Sequence, residues 1–366
     1  MSRAEVDLRS DSGRGPKGPP ESAVSNLLSQ YGIEGRLGRP RERLLKHVAG
    51  LQTGLAGITD PDKLLDKVVS ENLRLGLFYV EGSLRLYRDR YGVPIEAAYA
   101  EAKALEDKLG AYSAAQGFLK LAQDKGLPSP VVTALTEEVS KTRASLRETL
   151  AARWTPSPDS PEEIPAIRDL VSTLGSLEWD NYKADRKYVM EELRKELKDL
   201  DKSDLDMRQL QGNEGLHELR RQLRWVPIYL VALDGMVALD DKHHPIKEYR
   251  ALLHAPVAQS KYAQLPDSSR EKDPMGLSRT LFLATTQAIE DLGAIKDRGE
   301  AIEGMAHGLQ YAGLAHSYDD AEAQAMKALG LPDDAMQRVY EDATSLYDEL
   351  RGRQLFRALR KDLKDD

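Results

Sequence analysis

Hydrophobic positions recur with the period of an α-helix from about residue 21 to the end of the chain. Between Arg41 and Leu55, leucine and valine fall at the spacing that places them on one buried helix face. Asp60-Pro61 is typical of a helix start, because aspartate caps the first turn and proline fits its first position. No segment shows the alternation expected of a strand. The pattern predicts an all-α fold.

Glycine, proline and polar clusters divide this pattern into separate helices. Pro227 lies inside one of them, where it removes a backbone hydrogen bond and predicts a kink. The segment 255–275 is rich in proline, serine and lysine and predicts a long loop. The predicted helices are 41–55, 60–91, 94–123, 129–154, 164–202, 216–239, a short one from His244-Pro245, 276–292, 297–311, 319–329 and 333–361.

The same glycine, proline and polar clusters also predict the domain organisation. Short links between long helices indicate bundles, and the Pro/Ser-rich stretch Thr155–Glu163 is the clearest internal linker. The first residues contain glycine, proline, serine and arginine without a hydrophobic period, which is typical of a disordered tail. We therefore expect a tail (1–20), an N-terminal bundle (21–154), a linker (155–163), a C-terminal bundle (164–312) and a helical extension (313–366).

Composition narrows the possible functions. The 366 residues are 41% hydrophobic and 31% charged, and no apolar run approaches the roughly 18 residues of a membrane span. The chain has no cysteine, which excludes disulfides, thiolate metal sites and cysteine nucleophiles. No secretory signal is evident at the start, so we expect a cytoplasmic protein. A net charge of −8 means that any anion site must be a local concentration of basic residues.

The two halves share short patterns. Glu71–Leu77 and His217–Leu223 place Leu, Arg and Leu at the same offsets, and each half later carries Leu-Gly, at Leu109-Gly110 and Leu292-Gly293. A duplicated helical unit is the simplest explanation.

In these features the chain resembles the conserved histidine α-helical domain (CHAD) family, whose members are two four-helix bundles related by pseudo-symmetry. The resemblance covers roughly residues 40–312. In the second half, Asp297 closes the later Leu-Gly motif, with Lys296 where the family has Arg or Asn. The earlier motif is matched by Leu216, His217, Leu219, Arg220, Leu223 and Arg224.

The chain departs from the family pattern mainly in its first half, where Arg74, Arg85 and Arg88 are kept. Glu71 stands at the position of the histidine. The other departures are Phe78, Tyr79 and Glu81 at basic positions, Ser113 and Ala114 in place of Arg-Asp, and, in the second half, Trp225 and Pro227. Family members bind inorganic polyphosphate through basic helices. The resemblance implies a non-enzymatic polyphosphate-binding module whose anion surface is concentrated in the second half.

The residues themselves support a basic groove. One stripe has the spacing i, i+3, i+4, i+7, which shares a helix face, and a second stripe lies on the preceding predicted helix. Arginine forks and lysine charges suit phosphate oxygens, so a row of them suits a chain of phosphates. The candidate polyanion-binding residues are His217, Arg220, Arg221 and Arg224 in the first stripe, Lys183, Lys187, Arg194 and Lys198 in the second, and Arg74, Arg85 and Arg88 in the first half.

Two alternatives stay open. The basic stripes can be ordinary solvated faces paired with the many nearby acids, leaving a helical scaffold that binds a protein partner and no polyanion. His217 can be a neutral capping or packing residue, because a cation in the first turn opposes the helix dipole.

Other chemistry is not indicated. The chain has no HExxH, GxSxG or glycine-rich phosphate loop, and it carries no sign of a nucleophile, so we expect no enzyme and no cofactor. His243-His244 lies in a predicted loop without the fixed spacing of a helical metal site, and no metal is expected. The expected partner is inorganic polyphosphate or another polyanion, with no membrane and no specific nucleic-acid site. Association with polyphosphate granules is left open.

Overall fold

The computed structural model describes residues 21–32, 38–71, 73–207, 215–240, 247–254, 257–260 and 263–363. Within these ranges it has 14 helices and two short strands, which confirms the all-α class. The predicted disordered tail (1–20) lies outside the described residues. None of the described helices combines the length and the apolar character that crossing a membrane requires.

The described part of the N-terminal half contains six α-helices. The predicted long helix 60–91 is wrong, because one helix ends at Ser70 and the next begins at Arg74. The Leu73 N–H donates to the Val68 carbonyl (3.2 Å) and closes one helix before the next begins. Asp60 caps the third helix as expected, accepting from Asp62 N–H at 2.8 Å. The helices are α1 (Glu21–Gln30), α2 (Arg39–Leu55), α3 (Pro61–Ser70), α4 (Arg74–Tyr91), α5 (Val93–Asp124) and α6 (Ser129–Thr149), which ends in a π-helical turn, Leu150–Trp154.

The predicted helix 164–202 is also two helices. Trp179 Nε1 donates to the Leu174 carbonyl (2.9 Å) at the end of the first, and Asn181 caps the second by accepting from Ala184 N–H (3.1 Å). The predicted helices 276–292 and 297–311 are instead one helix of 33 residues. The second-half helices are α7 (Pro165–Ser176), α8 (Tyr182–Lys202), α9 (Leu216–Ala232), α10 (Lys247–Arg250), α11 (Arg279–Tyr311), α12 (Tyr318–Leu329), α13 (Ala335–Gly352) and α14 (Leu355–Asp362).

The region that follows α9 differs from the prediction in two ways. The predicted helix stops at Ala232, and β1 (Val237–Asp240) pairs in parallel with β2 (Met275–Ser278). The turn between helix and strand needs Gly235, whose φ is +92° and whose missing side chain leaves room for the Asp267 carbonyl. The predicted loop 255–275 therefore contains a 3₁₀ turn, Val257–Gln259, and the start of a strand.

Helices α4 and α9 pack side by side in the core. Ile228 packs against Gly82, where an added Cβ would lie 2.8 Å from the isoleucine Cγ2. Trp225 and Tyr229 stack on each other (ring centroids 5.6 Å apart), and Phe78 meets Trp225 edge to face. The residues in contact advance together along both helices, from Phe78 and Trp225 to Gly82 and Ile228, so α4 and α9 run in the same direction.

A buried network of charges joins α2 to the rest of the molecule. The Arg43 side chain is 2% exposed and donates to Asp185 of α8, which also accepts from the Tyr87 hydroxyl at 2.7 Å. Arg39 Nε donates to Glu271, in the segment before β2, at 2.9 Å. Because removing one partner of a buried pair leaves an uncompensated charge, this network fixes α2, α4 and α8 relative to one another.

Gly82→Ala tests the close approach of α4 and α9. In an open helix this change is favourable, but here the added methyl overlaps Ile228, so we expect a loss of about 1–3 kcal/mol in the free energy of unfolding. Gly117→Ala in α5 is the matched control, because nothing lies within 4 Å of its added Cβ and a gain of about 0.5–1 kcal/mol is expected. Urea unfolding of both variants measures the difference, and equal gains would show that the packing at Gly82 is loose.

Candidate anion-binding site

The first two turns of α9 present the basic stripe predicted from the sequence. His217 is exposed, whereas Arg220, Arg221 and Arg224 are partly buried. Arg220 lies across Gly293 of α11, where an added Cβ would be 3.0 Å from the arginine Nε. Gly293, the glycine of the second Leu-Gly motif, therefore makes room for the Arg220 guanidinium against α11, and α11 continues past it.

Arg220 has no carboxylate partner among the described residues. Its Nε is buried without a hydrogen bond, and no ion pair or other hydrogen bond of its guanidinium occurs in the described part of the chain. A partly buried guanidinium without a partner is costly, which makes it a natural contact for an anion. Arg221 differs, because its Nε donates to Glu218 at 2.8 Å.

The surroundings of His217 are cationic. Desolvation by the neighbouring helices lowers the pKa of its ring, and Lys296 of α11 lowers it further, as do Arg224 and Arg221, while Glu300 acts in the opposite direction. Lys296 is 9% exposed and pairs with Glu300. Burial is the main cause of this lower pKa, and the contributions of Lys296, Arg224 and Arg221 place three basic side chains near the ring.

Arg74 and Arg224 meet on one aromatic ring. The Arg224 guanidinium lies 4.5 Å from the Phe78 ring centroid, and the Arg74 guanidinium lies 5.2 Å from it. Arg74 also lies across Gly110, where an added Cβ would be 2.8 Å from Nη2. We use the name cationic mouth for the group formed by Arg74, His217, Arg220, Arg224 and Lys296.

The three candidate arginines of the first half are each paired with an acid. Arg74 Nε donates to Glu106 at 2.7 Å, and Arg85 is 3.0 Å from Glu196 of α8. Arg88 is 3.3 Å from Glu96 and lies over the Tyr99 ring. Of these three, only Arg74 lies in the cationic mouth.

The described contacts do not join the predicted α8 stripe to the α9 stripe. Arg194 Nε donates to the Leu363 carbonyl (2.9 Å), beyond α14, and Lys187 lies 3.9 Å from Glu191. Lys183 and Lys198 are exposed. These four residues therefore do not enter the cationic mouth as the structure defines it.

Glu81 is a feature of the site whose burial sequence reasoning missed. Its side chain is 2% exposed, and Oε2 has no hydrogen-bond partner. Burial raises the pKa of this carboxyl to about 7, and Glu106 contributes in the same direction. The sequence showed an acid in place of a basic residue, but only the packing of α4 shows that the acid is enclosed.

Metal binding has little support in this region. His243 and His244 lie outside the described residues. In the described ranges no group of three histidine or acidic residues is arranged to hold a metal ion.

Comparison with known proteins found no matching family model, no matching curated protein and no matching solved structure. The resemblance to the CHAD family therefore stays a prediction from the sequence.

Glu81→Gln tests the enclosed carboxyl through stability. The folded-state pKa of about 7 lies above the ordinary 4.5, so the stability associated with the protonated acid is full below pH 4.5 and is lost as pH rises to 7. The variant should be more stable than the parent by about 3 kcal/mol at pH 8 and by less than about 1 kcal/mol at pH 5.

Chemical unfolding at the two pH values measures this gain. Glu137→Gln, an exposed carboxyl on α6, is the matched control and should change little at either pH. A gain for Glu81→Gln that is the same at pH 5 and pH 8 would contradict the assignment of a buried, titrating carboxyl.

Proposed function

We propose that this protein is a non-enzymatic helical module that binds inorganic polyphosphate or a similar polyanion at the cationic mouth. The observation that carries the proposal is Arg220, a partly buried guanidinium with no acidic partner in the described chain, next to His217, Arg224 and Lys296. We extend the proposal to a cytoplasmic location, with polyphosphate granules as one setting.

The direction of the two helices favours an anion at the same place. Because α4 and α9 run in parallel, their N-terminal ends, at Arg74 and Leu216, lie on the same side of the molecule. Neither end has a side-chain cap hydrogen bond. Helix N-termini carry partial positive charge, which favours an anion beside Arg74 and His217 in the two first turns. Glu218 in the first turn of α9 and Glu106 beside Arg74 supply part of that negative charge, but both are bonded to arginines.

Equivalent positions of the two halves support the family relationship that the proposal uses. With Glu71 aligned to His217, Phe78 corresponds to Arg224, and these two residues contact each other. Gly82 corresponds to Ile228, and these also pack together. Contacts between equivalent residues are what a two-fold duplicated unit would produce on its axis, so we include the duplication in the proposal.

Arg220→Gln should weaken polyphosphate binding by roughly tenfold or more, because a charge-assisted hydrogen bond to the ligand is lost while no protein ion pair is broken. Titration calorimetry with long-chain sodium polyphosphate measures the affinity. Binding should also weaken steeply as salt rises, as for other chains of phosphates.

Arg298→Gln is the matched control. It removes the same charge from α11, but Arg298 is exposed and bonded to Asp342 at 2.6 Å, outside the cationic mouth. Unchanged affinity in Arg220→Gln would reject this site. No polyphosphate binding by the parent protein would reject the function and favour the alternative, a scaffold that binds a protein partner.

A further inference from the structure

The cationic mouth is short. Along α9, the distance from His217 to Arg224 is seven residues, or about 10 Å of helix. One turn further, Ile228 packs against Gly82 with no room for a side chain between α4 and α9. The stacked rings of Trp225 and Tyr229 lie at the same level, so the space between the two helices ends there.

Carboxylates are bonded to two members of the mouth itself, Arg74 and Lys296, and to Arg221 beside it. Glu106 of α5 is bonded to Arg74 of α4. Glu300 is bonded to Lys296 within α11, and Glu218 to Arg221 within α9. Beyond the mouth on α4, Arg85 pairs with Glu196, and Glu81 is enclosed nearby. A phosphate chain extending from Arg220 and Arg224 would approach these acids, and each further phosphate would add little affinity.

The cations within the mouth are close enough for one compact ligand. Arg220 and Arg224 are one turn apart on α9, about 6 Å along the axis, and Lys296 lies one turn beyond Gly293, on which Arg220 rests. The guanidinium groups of Arg220 and Arg224 at this spacing match the oxygens of neighbouring phosphate groups in a short chain. Lys296, which is paired with Glu300, adds positive charge beside them.

We propose that the mouth binds a compact oligophosphate of about three phosphate groups, and that a long polyphosphate binds only through its end. This inference rests on the proposed function and specifies its ligand. The compact group is either free inorganic triphosphate or the terminal triphosphate of a larger molecule, such as a nucleoside triphosphate or a polyphosphate chain.

A chain-length series tests this inference. Pyrophosphate, tripolyphosphate, ATP and long-chain polyphosphate are titrated into the full-length protein, with concentrations expressed per molecule. We expect tripolyphosphate to bind one to one and within about threefold of the affinity of the long chain expressed per chain end. We also expect no more than two proteins per long chain. Arg220→Gln should weaken every ligand that binds, and Arg298→Gln should weaken none.

Each outcome has a defined meaning. ATP binding as tightly as tripolyphosphate supports a terminal triphosphate, and tripolyphosphate binding without ATP supports the free inorganic form. Affinity that rises more than tenfold from tripolyphosphate to the long chain, or many proteins per chain, overturns the inference while the proposed function stands. Absence of binding by every member of the series rejects the proposed function itself.

Discussion

The site depends on the parallel contact of α4 and α9 at Gly82 and Ile228. A side chain at position 82 would hold the helices apart, and Phe78 would then no longer be close enough to receive Arg224. The same contact places two uncapped helix starts on one side of the molecule and closes the space behind them. The position, the polarity and the depth of the cationic mouth all follow from one glycine–isoleucine contact and from the direction of the two helices.

The chain has more acids than bases, yet it contains a cationic mouth because many of its carboxylates are bonded to basic residues elsewhere. Arg85 and Arg88 are bonded to carboxylates, and Arg43 is enclosed with Asp185. In the mouth, the Phe78 ring contacts both Arg74 and Arg224. Two guanidinium groups in direct contact would repel each other, whereas an aromatic ring attracts both of them. Phe78 thus stabilises the approach of Arg74 and Arg224.

The sequence predicted the helical class, the Asp60 helix start and the α9 stripe, because these depend on local periodicity and capping. It did not predict that α3 and α4 are separate helices, because the residues between them include no glycine or proline. It also missed the start of α8, which the cap residue Asn181 could have indicated. Gly293 resembled a helix end because the sequence does not show the arginine above it. The pairing of Arg194 with Leu363 links residues 169 positions apart, and no local pattern contains such information.

Shape and charge differ in how well the two halves match. Arg74 packs against Gly110 and Arg220 packs against Gly293. The packing around the mouth is therefore similar in the two halves. The charges are not similar. Arg74 is bonded to Glu106, whereas Arg220 has no acidic partner in the described part of the chain. An anion entering between the helices would therefore be drawn toward α9 and α11. If an anion binds here as we propose, the two glycine contacts set where it can lie, and the unequal distribution of carboxylates decides which helices hold it.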